Sequence, residues 1–387
     1  MEQQEQAKNP GLYQEISCVN CGSVLNFEPG TAHLNCNHCG TYNEIEASGV
    51  AIEELDFTTF VREFNETKEQ DVVKLVQCKN CAAQMTFEDN VVGQDCAFCG
   101  SSLVIEGASD CAIVKPQGVL PFKITRDRSF NMFRTWLKGL WFAPSKLQRF
   151  ADVNNELIGI YIPYWTYDCH TESSYSGLRG DNYVVHQNVT VIENGRSVTR
   201  SMPVVKTRWF PTSGHVSIFF DDVLVAASTS LPRKELEAIA PFDLRQLVPF
   251  KEAYLTGFRT ESYQVDLEQG FSEAKSKIDA RIRTAVHRDI GGDLQRIHSL
   301  NTDHQDITFK HILLPIWISS YEYRGKIYRF IVNGRTGKVK GERPYSPFKI
   351  ALAVIVAILI IAAIVFFSQA TESGNYSAPD WELRYLD

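Results

Sequence analysis

The sequence predicts an α+β protein with three parts: two N-terminal four-cysteine modules, a mostly antiparallel central domain, and one long apolar helix near the C-terminus. Three observations support this class. Eight of the ten cysteines fall in two identically spaced sets, the middle of the chain alternates helical and strand patterns, and one late run carries no charge. With 387 residues, 44% of them hydrophobic, the chain can bury several cores.

The cysteine pattern is duplicated. Each set reads C-x2-C-x14-C-x2-C, and the second set lies 60 residues after the first. Two thiolates separated by two residues can bind one metal ion from a single turn, and two such turns complete a tetrahedral all-sulfur site. The expected metal ligands are Cys18, Cys21, Cys36, Cys39, Cys78, Cys81, Cys96 and Cys99.

We therefore expect two zinc ribbons, at 1–47 and 73–108, each holding one structural Zn²⁺ ion. The 14 residues between the cysteine pairs are too few for a hydrophobic core, so the metal would supply the folding energy. Four thiolates leave no open coordination position, which favours a structural site over a catalytic one. Iron in the same four-sulfur geometry is the main alternative, and paired disulfides are a weaker one.

A helical linker is expected between the ribbons, at 48–72. Its apolar residues include Leu55, Phe57, Phe60 and Phe64, whose spacing suits a short amphipathic helix. A packed linker without helical structure is the alternative.

The central domain is expected over 109–345. Its strand segments are rich in aromatic and β-branched residues, and its helical segments carry apolar residues three or four positions apart. The pattern predicts helices at 127–141 and 271–287, strands at 157–167 and within 307–340, and a hairpin at 183–205 around Asn194 and Gly195. Strands joined by short turns favour antiparallel pairing.

An apolar run near the C-terminus predicts a transmembrane helix at 348–367. From Ile350 to Phe367 no side chain is charged or polar. At about 1.5 Å per residue the run spans roughly 30 Å, the thickness of the hydrocarbon core of a bilayer. A buried core helix is the alternative, but a surface that is apolar on all sides argues against it.

Basic residues predict how this helix crosses the membrane. Lys338, Lys340, Arg343 and Lys349 precede it, whereas the short acidic tail at 368–387 has one basic residue against four acidic ones. The positive-inside rule therefore places the N-terminal bulk in the cytoplasm and the tail outside. The thiolate ligands agree, because they need a reducing compartment.

The net charge of −7 hides an asymmetry that bears on nucleic-acid binding. Residues 1–110 hold 18 acidic and 5 basic residues, whereas 111–349 hold 24 acidic and 33 basic ones. Nucleic-acid binding depends on Lys and Arg that neutralise phosphates, so acidic ribbons disfavour it. The basic residues of the central domain are scattered, and an anionic membrane surface also explains them.

The search for catalytic motifs is negative. The sequence has no P-loop, no G-x-G-x-x-G, no H-E-x-x-H and no G-x-S-x-G. Asp221 and Asp222 could bind a cation, but adjacent strand residues point apart, so we expect a solvated pair there. We expect no enzyme activity and no catalytic residue; an enzyme whose site is invisible in one sequence is the alternative.

Six stretches of the central domain carry a family resemblance. They are GLWFAPS at 139–145, IYIPYWTYD at 160–168, RWFP at 208–211, FDDVLVAAS at 220–228, KHILLPIW at 310–317 and GERPYS at 341–346. With the paired ribbons and the late helix, they resemble bacterial zinc-ribbon membrane proteins often labelled as similar to primosomal protein N′ (replication factor Y, helicase superfamily II). A motor of that superfamily needs a P-loop lysine and a Walker B acidic pair. This sequence has neither, so the resemblance implies shared cysteine pairs and no motor activity.

The resemblance also bears on partners. The layout is more loosely similar to zinc-ribbon membrane proteins encoded beside SPFH-domain and phage-shock proteins, which implies a membrane-anchoring role in envelope stress. We expect a single-pass adaptor of the bacterial inner membrane whose partners are the lipid bilayer and cytoplasmic or membrane proteins. Ala353 and Ala357 form a small-xxx-small pair that raises the hypothesis of a homo-oligomer. The alternative is a nucleic-acid-binding accessory protein of replication restart, without helicase activity.

Overall fold

The computed structural model describes residues 16–46, 49–66, 72–79, 83–86, 93–98, 101–104, 109–144, 147, 157–193, 196–324 and 326–373. It is 27% helical and 43% strand, with mostly antiparallel pairing. The mixed, antiparallel class expected from the sequence is therefore confirmed. Cys81, Cys99 and the tail beyond 373 lie outside the described residues.

The regular elements follow the chain in this order. The α-helices are α1 (Phe57–Glu66), α2 (Arg126–Lys138), α3 (Arg233–Ile239), α4 (Leu267–Ile290) and α5 (Pro347–Ser373). The strands are β1 (Asn26–Phe27), β2 (His33–Asn35), β3 (Tyr42–Glu44), β4 (Leu55–Asp56), β5 (Val72–Gln77), β6 (Gln84–Thr86), β7 (Gly93–Asp95), β8 (Ser102–Val104), β9 (Ser109–Ala112), β10 (Gly118–Val119), β11 (Ile158–Glu193), β12 (Arg196–Ala226), β13 (Val248–Pro249), β14 (Arg259–Thr260), β15 (Leu294–Tyr323), β16 (Lys326–Asn333) and β17 (Val339–Gly341).

Three very long strands lie side by side in the main sheet, whose order is β12-β11-β15-β10-β13, with β12 at one edge. Strand β11 has 36 residues, β12 has 31 and β15 has 30. The prediction of a strand at 157–167 separate from a hairpin at 183–205 is therefore wrong in its boundaries, and Asn194 and Gly195 lie outside the described residues. The intervening stretch is polar and lacks apolar alternation, but it pairs with β12 on one side and β15 on the other. Pairing on both edges satisfies its backbone groups without an apolar face.

Successive residues of β11 face two different cores, as the two-residue period of a strand requires. Ile160 and Ile162 pack in one core with Leu314 of β15. Tyr161 packs in the other core with Leu313. The sheet is thus covered on both faces.

The first cysteine module, residues 16–46, packs on the face of Tyr161. The ring of Phe27 meets the ring of Tyr254 edge-on at 5.3 Å, and the Phe27 N–H donates to the carbonyl oxygen of Thr256 at 3.1 Å. The Gly30 N–H donates to the carbonyl oxygen of Phe122 at 2.8 Å. The module is therefore an integral part of the core on this face.

The second cysteine module, residues 72–112, packs on the opposite face. Cys78, Met85 and Cys96 lie in the core that contains Ile160 and Ile162. The Ser262 N–H donates to the carbonyl oxygen of Gln84 at 3.1 Å. The two modules are thus separated by the thickness of the sheet.

Helix α4 extends the predicted segment 271–287 at both ends. It begins after Asp266, whose side chain accepts a hydrogen bond from the Gln269 N–H at 2.7 Å. The indole nitrogen of Trp165 donates to the carbonyl oxygen of Val265 at 2.9 Å, and the Tyr167 hydroxyl donates to that of Leu267 at 2.7 Å. These bonds hold the start of α4 against β11.

Candidate metal centre

The two cysteine pairs of the first module lie in tight turns of the same kind. The Gly22 N–H donates to the carbonyl oxygen of Cys18 at 2.9 Å, and the Gly40 N–H donates to that of Cys36 at 2.8 Å. Both glycines have left-handed backbones, with φ of 73° and 72°. A side chain is strained there, so each turn needs glycine after its second cysteine.

These turns bring four sulfur atoms together. The Sγ atoms of Cys18, Cys21, Cys36 and Cys39 all lie within 4.8 Å of one another. Cys18 and Cys39 are 3.7 Å apart at Sγ, and Cys21 and Cys36 are 3.5 Å apart. A tetrahedral site with zinc–sulfur bonds of about 2.3 Å implies sulfur–sulfur distances of about 3.8 Å. A disulfide would require about 2.0 Å, so the cluster fits one metal ion.

Local hydrogen bonds lower the pKa of two thiols in this cluster, Cys18 and Cys39. At Cys36 the backbone hydrogen bonds are outweighed by burial and by the side chains of Cys21 and Cys39, which raise the pKa to about 11. The Thr41 hydroxyl lies 3.1 Å from Sγ of Cys39, and this contact, together with the Thr41 backbone N–H, lowers the pKa of Cys39 to about 5. The Asn20 backbone N–H lowers the pKa of Cys18. Thiolates are the form in which cysteine binds zinc.

Three polar residues that the sequence pattern did not single out, Asn20, Thr41 and Asn43, connect the turns. The side-chain oxygen of Asn43 accepts from the Val19 N–H at 3.3 Å, and the side-chain nitrogen of Asn43 donates to the carbonyl oxygen of Thr41 at 3.2 Å. The Asn20 amide donates to the Thr41 hydroxyl at 3.3 Å. The 60-residue repeat could have identified Thr41, because Ser101 carries a hydroxyl at the equivalent position of the second module.

The sulfur cluster lies at the boundary between core and solvent. Cys18 and Cys36 are buried in the core beneath the module, whereas Cys21 and Cys39 are exposed. A metal ion here would join the hydrophobic core to the outer surface of the module. This position fits a structural role.

The second module repeats the backbone pattern at its described cysteines. The N–H of Cys78 donates to the carbonyl oxygen of Ala83 at 2.8 Å. The N–H of Cys96 donates to the carbonyl oxygen of Ser101, also at 2.8 Å. In the first module the N–H of Cys18 makes the same bond to Ser23 at 2.8 Å. Cys78 and Cys96 are both buried.

A second polar cluster contradicts one expectation from the sequence. Carboxylate oxygens of Asp168, Asp221 and Asp222 lie within 4.8 Å of one another, so the prediction of two acids pointing apart is wrong. The cause is the left-handed backbone of Asp222, with φ of 50°, opposite an irregularity in β11 after Tyr167. The Asp222 N–H donates to Asp168 at 2.6 Å.

A lysine supplies the cation of this cluster. The Nζ atom of Lys310 lies 2.9 Å from an oxygen of Asp222, 3.6 Å from Asp168 and 2.7 Å from Glu54. Burial raises the pKa of Asp168 to about 6, although the Asp222 N–H and Lys310 oppose that effect. Burial disfavours the charged lysine, but its bonds to Glu54 and Asp222 raise the pKa of Lys310. The cluster is a buried ion-pair network that fastens Glu54, next to β4, to β15.

Comparison with known proteins adds one relative. The chain is 28% identical over 335 residues to uncharacterized protein YdjG of Bacillus subtilis (strain 168). The aligned region covers 86% of this chain and 91% of that protein. No protein-family model matches the chain, and no solved structure matches it.

Proposed function

We propose that the chain is a single-pass, membrane-anchored zinc-ribbon adaptor that binds protein partners at the cytoplasmic face of the bacterial inner membrane. The observation that carries the proposal is the four-sulfur cluster of Cys18, Cys21, Cys36 and Cys39, held rigidly on a sheet whose chain continues into an exposed apolar helix. The partner is expected to be of the SPFH or phage-shock type.

The properties of α5 support the anchor. Residues Pro347–Phe366 have a mean hydropathy of 3.1, and none of this stretch is buried against the rest of the chain. An apolar surface of this extent is unfavourable in water, whereas a bilayer covers it on all sides. Phe348, in the first turn of α5, is 77% exposed, and Trp141 is 60% exposed. Trp141 is next in sequence to Phe142, whose carbonyl oxygen accepts from the Ser346 N–H just before the helix. Aromatic side chains near a helix end favour the membrane interface.

The sulfur geometry supports zinc, and the backbone repeat supports two sites. The four described backbone bonds start at the first cysteine of each pair, Cys18, Cys36, Cys78 and Cys96, and end five residues later. A duplicated ribbon with one zinc ion in each copy explains both the spacing and these bonds. Iron in the same geometry remains the alternative metal.

The outer surface of the first module supports a role in binding. Val19 is 88% exposed, Tyr42 is 65% exposed and Val24 is 50% exposed, and all three surround the turns of the cysteine pairs. Apolar side chains on a metal-fixed turn bind a partner at a small entropic cost, because they are already ordered. We place the partner contact on this surface.

The test is a crosslinked pull-down of the full chain from native membranes, with and without nuclease, read by mass spectrometry. The Cys18→Ser, Cys78→Ser double variant removes one ligand from each ribbon, and Val19→Glu changes the surface without touching a ligand. We expect a nuclease-resistant set of membrane or envelope-stress proteins with the native chain and their loss in both variants. Val19→Glu should keep the native zinc content.

Two results would contradict the proposal. Replication proteins or nucleic acid that disappear with nuclease would indicate the replication-restart alternative. Partners retained by both variants would show that neither the ribbons nor the Val19 surface binds them. The Cys169→Ser variant is the matched control, because Cys169 is a buried cysteine outside both modules.

A further inference from the structure

A basic and aromatic cavity lies directly before the membrane helix. Its volume is about 530 Å³, and it opens between the end of α2, the start of β16 and the segment that follows β17. Three of the side chains that line it are cationic and three are aromatic: Lys326, Lys340, Arg343, Trp136, Tyr328 and Tyr345. Tyr345 is two residues from the start of α5.

Two hydrogen bonds fix this cavity next to the helix. The Ser346 N–H donates to the carbonyl oxygen of Phe142 at 2.8 Å, and the Lys349 ammonium donates to that of Ala143 at 2.9 Å. Both acceptors lie in the loop that follows α2, which also supplies a wall of the cavity. The first turn of α5 is therefore tied to the folded domain, and the cavity stays at the membrane surface.

The cations of the cavity are available to a ligand. None of Lys326, Lys340 and Arg343 forms an ion pair within the described part of the chain. Lys326 lies 5.5 Å from the ring centre of Tyr328, and Arg343 lies 5.2 Å from that of Tyr345. The carboxylate of Glu342, which also lines the cavity, is directed to the Arg329 N–H at 3.5 Å. The lining carries three positive charges and one negative charge, and the neighbouring Arg329 and Glu235 add one charge of each sign. The excess of positive charge favours an anion.

We propose that this cavity binds the phosphate-bearing headgroup of an anionic phospholipid, an inference that rests on the proposed membrane anchor. Arg and Lys bind phosphate oxygens through charge-assisted hydrogen bonds. Basic residues at a membrane surface also bind anionic lipid with about 1 kcal/mol each, or about fivefold in affinity for each charge. The aromatic walls hold the glycerol region at the interface.

The test compares lipid binding by the full chain in neutral detergent. Phosphatidylglycerol and phosphatidylcholine are added separately, and native mass spectrometry counts the lipids retained. We expect phosphatidylglycerol to be preferred by at least about tenfold. The triple variant Lys326→Gln, Lys340→Gln, Arg343→Gln should lose that preference. The matched control Lys123→Gln, Lys275→Gln, Arg283→Gln removes the same charges from exposed sites elsewhere and should keep it.

Three outcomes would overturn the headgroup site: equal binding of both lipids by the native chain, a preference retained by the triple variant, or loss of the preference in the matched control. Inorganic phosphate is added as a competitor, and displacement of phosphatidylglycerol at equal concentration would assign the site to free phosphate instead. Membrane fractionation of the native chain tests the membrane anchor independently of the headgroup site. A chain that is absent from membranes refutes the anchor, whereas a membrane-bound chain without lipid preference refutes only the headgroup site.

A different observation concerns the far end of the main sheet. Strand β15 pairs with β11 only as far as Gly180, which lies opposite Leu294. Beyond that point, 181–193 and 196–208 continue as a two-stranded arm. A two-stranded hairpin alone is only marginally stable in water, so this arm needs a further partner along its length.

The two edges of the arm differ in character. The β12 edge of the arm carries Pro203, which lacks the N–H that a neighbouring strand would need, and the charged Lys206 and Arg208. Proline and lysine are the residues with which natural edge strands prevent pairing. On β11, by contrast, the segment 182–192 contains no proline, no glycine and no residue with a formal charge. Only the β11 edge is open to another strand.

The open edge is complementary to itself. In an antiparallel pair with a second copy, centred on Asn188, Val184 lies opposite Ile192 of that copy and His186 lies opposite Thr190. Val205, the cross-strand neighbour of Val184 within the arm, lies beside this contact on the same face. Ile192, Val205 and Val184 are exposed by 80%, 64% and 58% in the single chain. One register therefore brings Val184 of each copy against Ile192 of the other and places no like charges opposite each other.

We infer that two copies of the chain associate through the β11 edges of their arms and form a four-stranded antiparallel sheet with the order β12-β11-β11-β12. Asn188 then lies on the two-fold axis and faces itself. Cross-strand Cα atoms in such pairs are about 4.5–5.5 Å apart. Ser201, which pairs with Asn188 inside each arm, would be separated from its copy by three strand spacings, or about 14 Å.

Cysteine crosslinking of the full chain in detergent tests this register. Asn188→Cys should give a disulfide-linked dimer under mild oxidation, because the distance across the axis suits a disulfide. Ser201→Cys adds the same number of thiols in the neighbouring strand and should not exceed the native background. Dimers in equal yield from both variants, or from neither, would overturn the inference.

A charge substitution at the axis gives a second test. Its readout is the mass of the protein in detergent, measured by light scattering. Asn188→Lys sets two like charges face to face and should convert the native dimer to monomer, whereas Ser201→Lys should leave it a dimer. A mixture of Asn188→Lys and Asn188→Glu chains should associate again. A monomeric native chain, or an Asn188→Lys chain that stays dimeric, would refute the arm contact. The Asn188→Cys crosslink distinguishes a dimer formed through the arms from a dimer formed by pairing of the membrane helices.

Discussion

Two residues with a left-handed backbone, Gly22 and Asp222, decide which polar side chains meet. At Gly22 the turn presents Cys18 and Cys21 to the same point, and the sequence signals this through the spacing of the cysteines. At Asp222 an L-residue adopts φ of 50°. Its carboxylate comes within 4.8 Å of those of Asp168 and Asp221 and lies 2.9 Å from Nζ of Lys310. The sequence does not predict the left-handed backbone at Asp222, since aspartate adopts this conformation only occasionally.

Zinc content tests the cysteine assignment at the scale of single residues. We expect the purified chain to carry two zinc ions, and Cys18→Ser to carry one, because three thiolates bind structural zinc much more weakly than four. Elemental analysis of the full chain in detergent measures this. Cys169→Ser should keep both ions. A metal-free protein with disulfide bonds would contradict the zinc sites.

The buried Asp168 predicts a pH dependence of stability. Its pKa of about 6 in the folded chain exceeds its ordinary value of 3.8, so the folded state binds the proton more tightly. The stabilisation this gives is present at low pH and is lost as the pH rises through about 6. Between pH 5 and 7 the loss amounts to about 1 kcal/mol.

The measurement is the free energy of unfolding of the full chain in detergent at pH 5 and pH 7, compared with Asp168→Asn. Asparagine retains an oxygen that can accept from the Asp222 N–H but does not titrate. Effects of pH on the cysteines cancel in the difference between the two proteins, because they lie on separate networks. A native chain and a variant with the same pH dependence would contradict the prediction.

Among the elements, α4 shows how close packing overrides helix propensity. Gly270 faces β11, and a Cβ atom there would lie 2.7 Å from Cδ1 of Trp165 and in contact with the Tyr167 hydroxyl. The buried positions of α4 recur every three or four residues from Leu267 to Ile290, as the sequence predicts. Glycine at position 270 leaves room for Trp165 and Tyr167 of β11, and only the tertiary structure shows this contact.

Gly270→Ala is therefore expected to destabilise the fold, although alanine is the better helix former. The clash with two buried aromatic rings should cost about 1–3 kcal/mol in the free energy of unfolding. Ser272→Ala, at an exposed position of the same helix, should be neutral or slightly stabilising. Chemical denaturation of the two variants decides the point, and a stabilised Gly270→Ala would show that the helix can move away from the sheet.

At the scale of the whole molecule, the two cysteine modules lie on opposite faces of one sheet. Phe27 and Cys36 belong to one core, and Met85 and Cys96 to the other. The modules therefore present separate surfaces, and a single compact partner cannot bind the outer sides of both. This arrangement suits an adaptor that joins two partners.

Membrane topology is the prediction at this scale. Lys338, Lys340 and Arg343 precede α5 and Lys349 lies in its first turn, so the positive-inside rule predicts that the folded domain is in the cytoplasm. Protease added to intact spheroplasts should remove an epitope placed after Asp387 and leave an N-terminal epitope intact. Lysed spheroplasts are the control, in which both epitopes are cleaved. An N-terminal epitope that is lost from intact spheroplasts would reverse the orientation.

The sequence by itself determined the local chemistry of this protein: the cysteine spacing with its turn glycines, helices α2 and α4, and an apolar run long enough to cross a bilayer. Each of these depends on residues within one or two turns of chain, so a local pattern is sufficient. The tertiary structure alone decided the length of β11, the packing of the cysteine modules into two cores, and the union of Glu54, Asp168 and Lys310. These features depend on pairing between residues more than a hundred positions apart, for which a single sequence holds no periodic signal.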